Sequence, residues 1–129
     1  MTRDDMWKAM TDDELRVKAA EILGWTNIRL VGLKEIPHGT PPGRDEQTVW
    51  VIPCYPKYIA MAWELVEKLQ EMERYPEVQN VGIHGSLWNV WLGPPPSNCG
   101  DSDLIAQDES PARAITQAFI IAMELTNAN

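Results

Sequence analysis

The chain has few of the residues that mark exported or membrane-spanning proteins. It has only two cysteines, Cys54 and Cys99, in 129 residues, and no apolar run approaches the roughly 20 residues that span a bilayer. The first residues also lack the apolar stretch of a signal peptide. We therefore predict a cytoplasmic protein with no membrane segment, in which both cysteines stay reduced.

Positive charge is also scarce. Eleven lysines and arginines oppose 19 aspartates and glutamates, which gives a net charge of −8. The imbalance is greatest from Glu64 onward, where ten acids are accompanied by only three cations, Lys68, Arg74 and Arg113. Because such a surface repels a phosphate backbone, generic binding to nucleic acids is disfavoured.

The sequence has no short catalytic or metal-binding motif. His38, Cys54, His84 and Cys99 could ligate a soft metal, but none of them shows the close spacing of a zinc site. Neither cysteine is framed by the glycines of a nucleophile elbow. We therefore predict a non-enzymatic protein with no cofactor and no bound metal.

Three segments carry the signals of helices. The first is predicted to begin at the capping box Thr11-Asp-Asp-Glu14 and to end at Gly24. The second spans residues 55–69, and the third begins at the Ser110-Pro111 pair. The side chains predicted to face the core are Leu15, Ala19, Ile22, Leu23, Ile59, Ala62, Trp63, Val66, Leu69, Ala114, Ile115, Ala118, Phe119, Ala122 and Met123.

Four short stretches predict strands because they are β-branched, aromatic or alternating. They are 48–52, 78–83, 87–92 and 103–107, and the second and third are predicted to form a hairpin through His84-Gly-Ser86. Residues 28–36 are strand-like but interrupted by Gly32. The proline- and glycine-rich stretches 37–46 and 93–100 are predicted to be long irregular loops.

This order of elements predicts the fold class. We expect an α+β protein, a layered α/β/α sandwich in which three helices pack on a mainly antiparallel sheet of about four strands. We expect residues 11–129 to form a single domain, and we predict that residues 1–10 are either a flexible N-terminal arm or precede a translation start at Met10.

Three blocks of the sequence resemble the phage ABA sandwich domain family. They are Glu14-Leu-Arg-Val-Lys-Ala-Ala-Glu-Ile-Leu-Gly-Trp25, the helix from Ile59 to Leu69 with Ala62-Trp63-Glu64, and residues 106–118, with a Trp88-Asn-Val90 strand before the last block. The resemblance covers most of residues 11–125. It implies a phage or prophage protein with a sheet between helical layers, and no particular activity. The chain departs from the family pattern in residues 1–10, residues 38–46 and Pro94-Pro-Pro96.

Six tryptophans stand beside a single phenylalanine. Trp25, Trp63 and Trp88 are predicted to lie in the core. Trp7, Trp50 and Trp91 are not claimed by the core pattern, and self-association would cover such rings. We therefore expect a homo-oligomer.

A small-nucleotide site is our first functional hypothesis, because one aromatic ring and one or two cations are enough to hold such a ligand. The candidate ligand-binding residues are Trp50, Trp91, His38, Arg44, Lys57 and Arg113. The corresponding function is that of a phage anti-defence protein, which sequesters a small nucleotide signal of the host.

Two alternatives stay open. The chain could be an acidic inhibitor of a host nucleic-acid-processing enzyme, in which carboxylates act as phosphate substitutes. The residues concerned are Glu64, Glu67, Glu71, Asp101 and Asp103. The chain could also be a structural or assembly component of the phage.

Overall fold

Two small antiparallel sheets and three helices make up the computed structural model, which describes residues 9–81, 85–93 and 103–127. The helices are α1 (Asp12–Leu23), α2 (Ile59–Glu71) and α3 (Pro111–Asn127). The strands are β1 (Thr26–Val31), β2 (Ile36–Thr40), β3 (Trp50–Val51), β4 (Tyr75–Val81), β5 (Leu87–Gly93) and β6 (Asp103–Asp108). The α+β class is confirmed. The described residues form six strands in two sheets, ordered β1-β2-β3 and β4-β5-β6. The sequence had predicted about four strands in one sheet.

Several predictions fall on residues outside these ranges, namely those for Trp7, His84, Cys99, Asp101 and Pro94-Pro-Pro96. None of the helices among the described residues has the length and apolarity needed to cross a membrane.

The predicted capping box starts α1. The Thr11 hydroxyl accepts a hydrogen bond from the Glu14 amide at 3.1 Å, and the Glu14 carboxylate accepts one from the Thr11 amide at 3.0 Å. These bonds hold the pKa of Glu14 below its usual value. Gly24 ends the helix in the left-handed conformation with φ of 101°, and the Trp25 amide donates back to the Ala20 carbonyl.

The last helix, α3, lies at the centre of the core. It packs against α1, α2, β5 and β6, and every residue from Ala114 to Ala122 is buried. Five of its six predicted inward positions are buried and Met123 is partly buried against the core, but Ile120, Ile121 and two polar residues are buried as well. A helix enclosed on several sides needs apolar residues around most of its circumference.

The second helix, α2, buries a different face from the predicted one. Ala62, Val66 and Leu69 are buried as expected, together with Leu65. Ile59 and Trp63 are each 49% exposed, so the prediction that they face the core is wrong. The buried face is rotated toward Leu65, and α2 begins at Ile59 because the preceding residues form a turn closed by the Cys54 carbonyl.

The predictions for Trp25 and Trp88 are supported, because both rings are partly buried and pack against the core. Tyr55, another aromatic residue of the core, is only 2% exposed. Burial and the nearby Glu64 raise the pKa of Tyr55 to about 12.

The second sheet contains the predicted hairpin. β4 and β5 pair antiparallel from Tyr75 opposite Gly93 to Val81 opposite Leu87. Val90 on β5 is buried in the core, and the register shifts between Val90 and Trp91.

The largest departure from the sequence prediction is β2, because Ile36–Thr40 overlaps a stretch predicted to be irregular. This strand is the centre of the first sheet although it contains Pro37. The Pro37 carbonyl accepts a hydrogen bond from the Ile52 amide at 3.1 Å, and proline has no N–H with which to return one. Arg16 of α1 supplies the missing donor: its Nε lies 2.7 Å from the Ile52 carbonyl oxygen, and its Nη2 donates to the same atom.

Gly39 also allows β2 to pack closely between its neighbours at the centre of the sheet. A Cβ at Gly39 would lie 3.0 Å from the Thr26 carbonyl oxygen and 3.2 Å from Ile28 Cγ1. The glycine therefore marks a close approach of two strands rather than a loop.

Replacing Arg16 with methionine tests the role of this arginine. Arg16→Met leaves the Ile52 carbonyl, which sits in buried surroundings, without its side-chain donor, so we expect a loss of about 1–3 kcal/mol in the free energy of unfolding. Chemical denaturation measures this loss. In a Pro37→Ala background the new amide faces the same carbonyl, so the same replacement should be less destabilising. Equal losses in the two backgrounds would contradict this assignment.

Candidate functional site

A cleft of about 570 Å³ opens between the start of α1, strands β2 and β3, and the turn before α2. We call it the Arg16 pocket. Its size is within the usual range of small-molecule sites, which is about 300–1,000 Å³. The lining residues are Thr11, Asp12, Asp13, Arg16, Ile36, Val51, Cys54, Lys57 and Tyr58.

Two arginines balance the two acids of this pocket. Arg16 is 8% exposed, and its Nη1 lies 3.5 Å from the Asp13 carboxylate. Arg113, at the start of α3, places Nη1 2.5 Å from the Asp12 carboxylate and Nε 3.1 Å from Asp108. The carboxylates of Asp12 and Asp13 therefore do not make the pocket wholly repulsive to an anion.

A cation, an aromatic ring and an aliphatic wall lie together at the mouth. The Lys57 ammonium is 5.6 Å from the centre of the Tyr58 ring, and Tyr58 is 50% exposed. Ile36 and Val51 are exposed apolar residues of the pocket wall. Lys57 makes no ion pair with any residue in the described ranges, so its charge is available to a ligand.

Cys54 contributes a half-buried free thiol to the lining. Burial raises the pKa of this thiol, Asp12 and Asp13 raise it further, and Arg16 opposes them. The thiol is therefore protonated at neutral pH and is a weak nucleophile. The Cys54 thiol is therefore suited to contact a ligand in the pocket and poorly suited to attack it as a nucleophile.

The structure divides the six predicted ligand-binding residues among different places. Lys57 lines the Arg16 pocket. His38 pairs with Val51 across β2 and β3, so it lies on the pocket side of the first sheet, and its Nδ1 is 2.8 Å from the Ile36 carbonyl oxygen. Trp50 projects from the opposite face, where the Arg44 guanidinium lies 5.1 Å from the centre of its ring.

The other two predicted residues lie away from this sheet. Trp91 is partly buried on the face of β5 opposite Val90. Arg113 is outside the pocket lining and donates to the carboxylates of Asp12 and Asp108, so these contacts make it a support for the pocket wall. Its Nη2 also donates to the Met10 carbonyl.

Sequence reasoning missed Arg16 and Tyr58. Arg16 had a usable signal, because it precedes Ala20 by one helical turn on a face otherwise built from small and apolar residues. A charged residue at such a position needs a polar partner. Tyr58 gave no comparable signal, since its neighbourhood depends on where β3 lies.

No metal site is evident in the ranges that the structure describes, where no three His, Cys, Asp or Glu side chains cluster suitably. No family model, curated protein or solved structure matches the chain. The resemblance to the phage ABA sandwich domain family therefore stays a prediction.

Proposed function

We propose that this protein acts by binding, and that the Arg16 pocket captures a small anionic ligand with an aromatic ring, of which a nucleotide is the leading example. The observation that carries the proposal is the Lys57 ammonium, which has no ion pair among the residues that the structure describes, beside the exposed Tyr58 ring in a cleft of suitable size. A cation can bind the phosphate of a nucleotide, and an aromatic ring can stack on its base.

Each part of such a ligand has a complementary group in the pocket. The base would stack on Tyr58 and contact Ile36 and Val51, as aromatic bases do on protein rings. A phosphate oxygen would accept hydrogen bonds from Lys57. Asp12 and Asp13 would accept hydrogen bonds from amino or hydroxyl groups of the ligand.

The two aspartates also limit how much negative charge the ligand can carry. Both line the same pocket as Lys57, although arginines balance them. Added phosphate groups would increase the repulsion, so the pocket favours a cyclic nucleotide or a monophosphate over a triphosphate.

The biological setting is part of the same proposal. The resemblance implies a phage protein with a layered α/β/α sandwich that works in the host cytoplasm. There, a protein that captures a nucleotide signal without transforming it would weaken a defence response of the host.

Calorimetric titration against cyclic and linear nucleotides tests this proposal. We expect binding of at least one ligand with a single phosphate charge. Lys57→Gln should weaken that binding about tenfold or more, because it removes a charge-assisted hydrogen bond. Lys68→Gln is the matched control, because it removes a lysine from the solvent-exposed face of α2, where Lys68 pairs with Glu71 at 3.5 Å. This variant should leave the affinity unchanged.

Cys54 provides a second measurement of the same event. A ligand in the Arg16 pocket should slow alkylation of this thiol, followed by peptide mass spectrometry. The absence of binding across the panel would overturn the proposal. Equal losses of affinity in the two lysine variants would assign the ligand to another surface.

The exposed flank of α2 supports a second candidate function, the acidic inhibitor. Ile59 and Trp63 are one helical turn apart and half-exposed, and the exposed Glu64, Glu67 and Glu71 continue around the helix. An aromatic anchor surrounded by carboxylates suits a basic groove on a partner protein.

Capture from host lysate on the immobilised protein tests this candidate. We expect a basic, nucleic-acid-processing enzyme to be retained. The double change Trp63→Ala and Glu67→Lys should abolish its retention, because it removes the anchor and reverses one neighbouring charge. Lys57→Gln should retain the enzyme, which separates this surface from the pocket. Retention that is unaffected by the α2 changes would rule out this interface.

A further inference from the structure

The wall that α1 contributes to the Arg16 pocket offers mainly hydrogen-bond acceptors. Asp12 and Asp13 both line the pocket, and a carboxylate accepts hydrogen bonds without donating any. The three guanidinium nitrogens of Arg16 already have partners, since Nε and Nη2 bond to the Ile52 carbonyl and Nη1 lies 3.5 Å from Asp13. A ligand that meets this wall must therefore bring donors of its own.

Asp12 is the better placed of the two acids. Arg113 Nη1 lies 2.5 Å from one of its carboxylate oxygens, and Asp108 holds Arg113 in turn through Nε at 3.1 Å. Asp13 has a longer contact with its arginine and also lines a second groove. Burial raises the pKa of the Cys54 thiol and Asp12 raises it further, so the charge of Asp12 reaches a group that lines the pocket. Asp12 is thus an anchored acceptor within the pocket.

The Asp12 carboxylate also retains the capacity to accept more hydrogen bonds. A carboxylate has about four lone-pair positions, and the bond from Arg113 uses one of them. No other donor bonds to Asp12 among the residues that the structure describes. Its side chain is 49% exposed, so a ligand can reach it. Two adjacent donors of a ligand can therefore bond to this one group.

The nucleobases differ in the donors that they offer. Stacking on Tyr58 uses the face of a base and leaves its edge for the rest of the lining. Guanine has two neighbouring donors on its pairing edge, a ring N–H and an amino group, which match a single carboxylate. Adenine and cytosine have an amino group beside an accepting ring nitrogen, and uracil has one N–H between two carbonyls. A carboxylate opposite these edges would meet an acceptor, which is repulsive.

We propose that the ligand of the Arg16 pocket carries a guanine base, and that Asp12 is the residue that selects it. This inference rests on the proposed function, because it assumes a nucleotide with its phosphate on Lys57 and its base on Tyr58. The Asp12 carboxylate accepts hydrogen bonds from the ring N–H and the amino group of guanine. Phosphate, base face and base edge then each have a separate partner in the pocket.

Calorimetric titration of the wild-type protein with guanosine, inosine and adenosine monophosphates tests this selection. Guanosine monophosphate should bind about tenfold or more tightly than adenosine monophosphate, because paired hydrogen bonds to one base edge discriminate against a base that cannot form both. Inosine monophosphate keeps the ring N–H but lacks the amino group, so its affinity should lie between the other two. The comparison needs no variant to fold.

Asp12→Asn tests the residue itself. The amide carries a donor where the carboxylate has an acceptor, so the affinities for guanosine and adenosine monophosphates should come within about twofold of each other. Glu21→Gln is the matched control, because it removes a carboxylate of α1 that lies outside the pocket lining. This variant should keep the full preference for guanosine monophosphate.

Two results would overturn the guanine selection while the proposed function stands. One is equal affinity of the wild-type protein for guanosine and adenosine monophosphates, with both affinities dependent on Lys57. The other is an undiminished guanine preference in Asp12→Asn. If no nucleotide binds at all, the proposed function itself is wrong, and the guanine selection is overturned with it.

Discussion

The carbonyl of Ile52 lacks a ladder partner because Pro37 has no N–H, and Arg16 supplies the missing hydrogen bonds. The interaction joins α1 to the first sheet across 36 residues of sequence. It keeps a proline in the central strand, and it fixes a guanidinium group within a cleft. The positions of Asp13, Val51 and Cys54 around that cleft follow from it, because they are sequence neighbours of the two bonded groups.

Local charge pairing sets the electrostatics of the Arg16 pocket in a chain with a net charge of −8. Arg16 and Arg113 hold the two acids of the pocket, and they come from the first and last helices. The positive charge of Lys57 is available within the cleft, and its ammonium group lies against the Tyr58 ring. Local pairing therefore decides the chemistry of the site, while the net charge describes the surface as a whole.

The sequence predicted best the features that depend on neighbouring residues. The capping box at Thr11, the left-handed Gly24 and the Ser110 cap, whose hydroxyl accepts from the Arg113 amide at 3.2 Å, are all set within one helical turn. Sequence-based prediction failed where contacts between residues far apart in the sequence determine the structure. β2 pairs with β1 and β3, and Arg16 satisfies the Ile52 carbonyl that Pro37 cannot, but no local pattern reveals these partners.

The candidate site divides along the same line. Lys57 was predicted from its place near a helix start, whereas Tyr58 becomes relevant only because β3 lies opposite it. Trp63 was predicted to be buried because it belongs to an apolar stripe of α2. In the structure, the buried face of α2 is rotated by part of a turn toward Leu65. Helical periodicity indicates which residues share a face, but packing against α3 decides which face is buried.

Solution NMR of the arginine side chains tests most directly whether Arg16 holds the sheet and the pocket together. The Arg16 Nε–H donates to a buried carbonyl at 2.7 Å, so it should exchange with water slowly and keep a resolved signal at neutral pH. Arg44, which is exposed, provides the comparison within the same spectrum. An Arg16 Nε–H that exchanges as fast as that of Arg44 would contradict this account of the fold and of the Arg16 pocket.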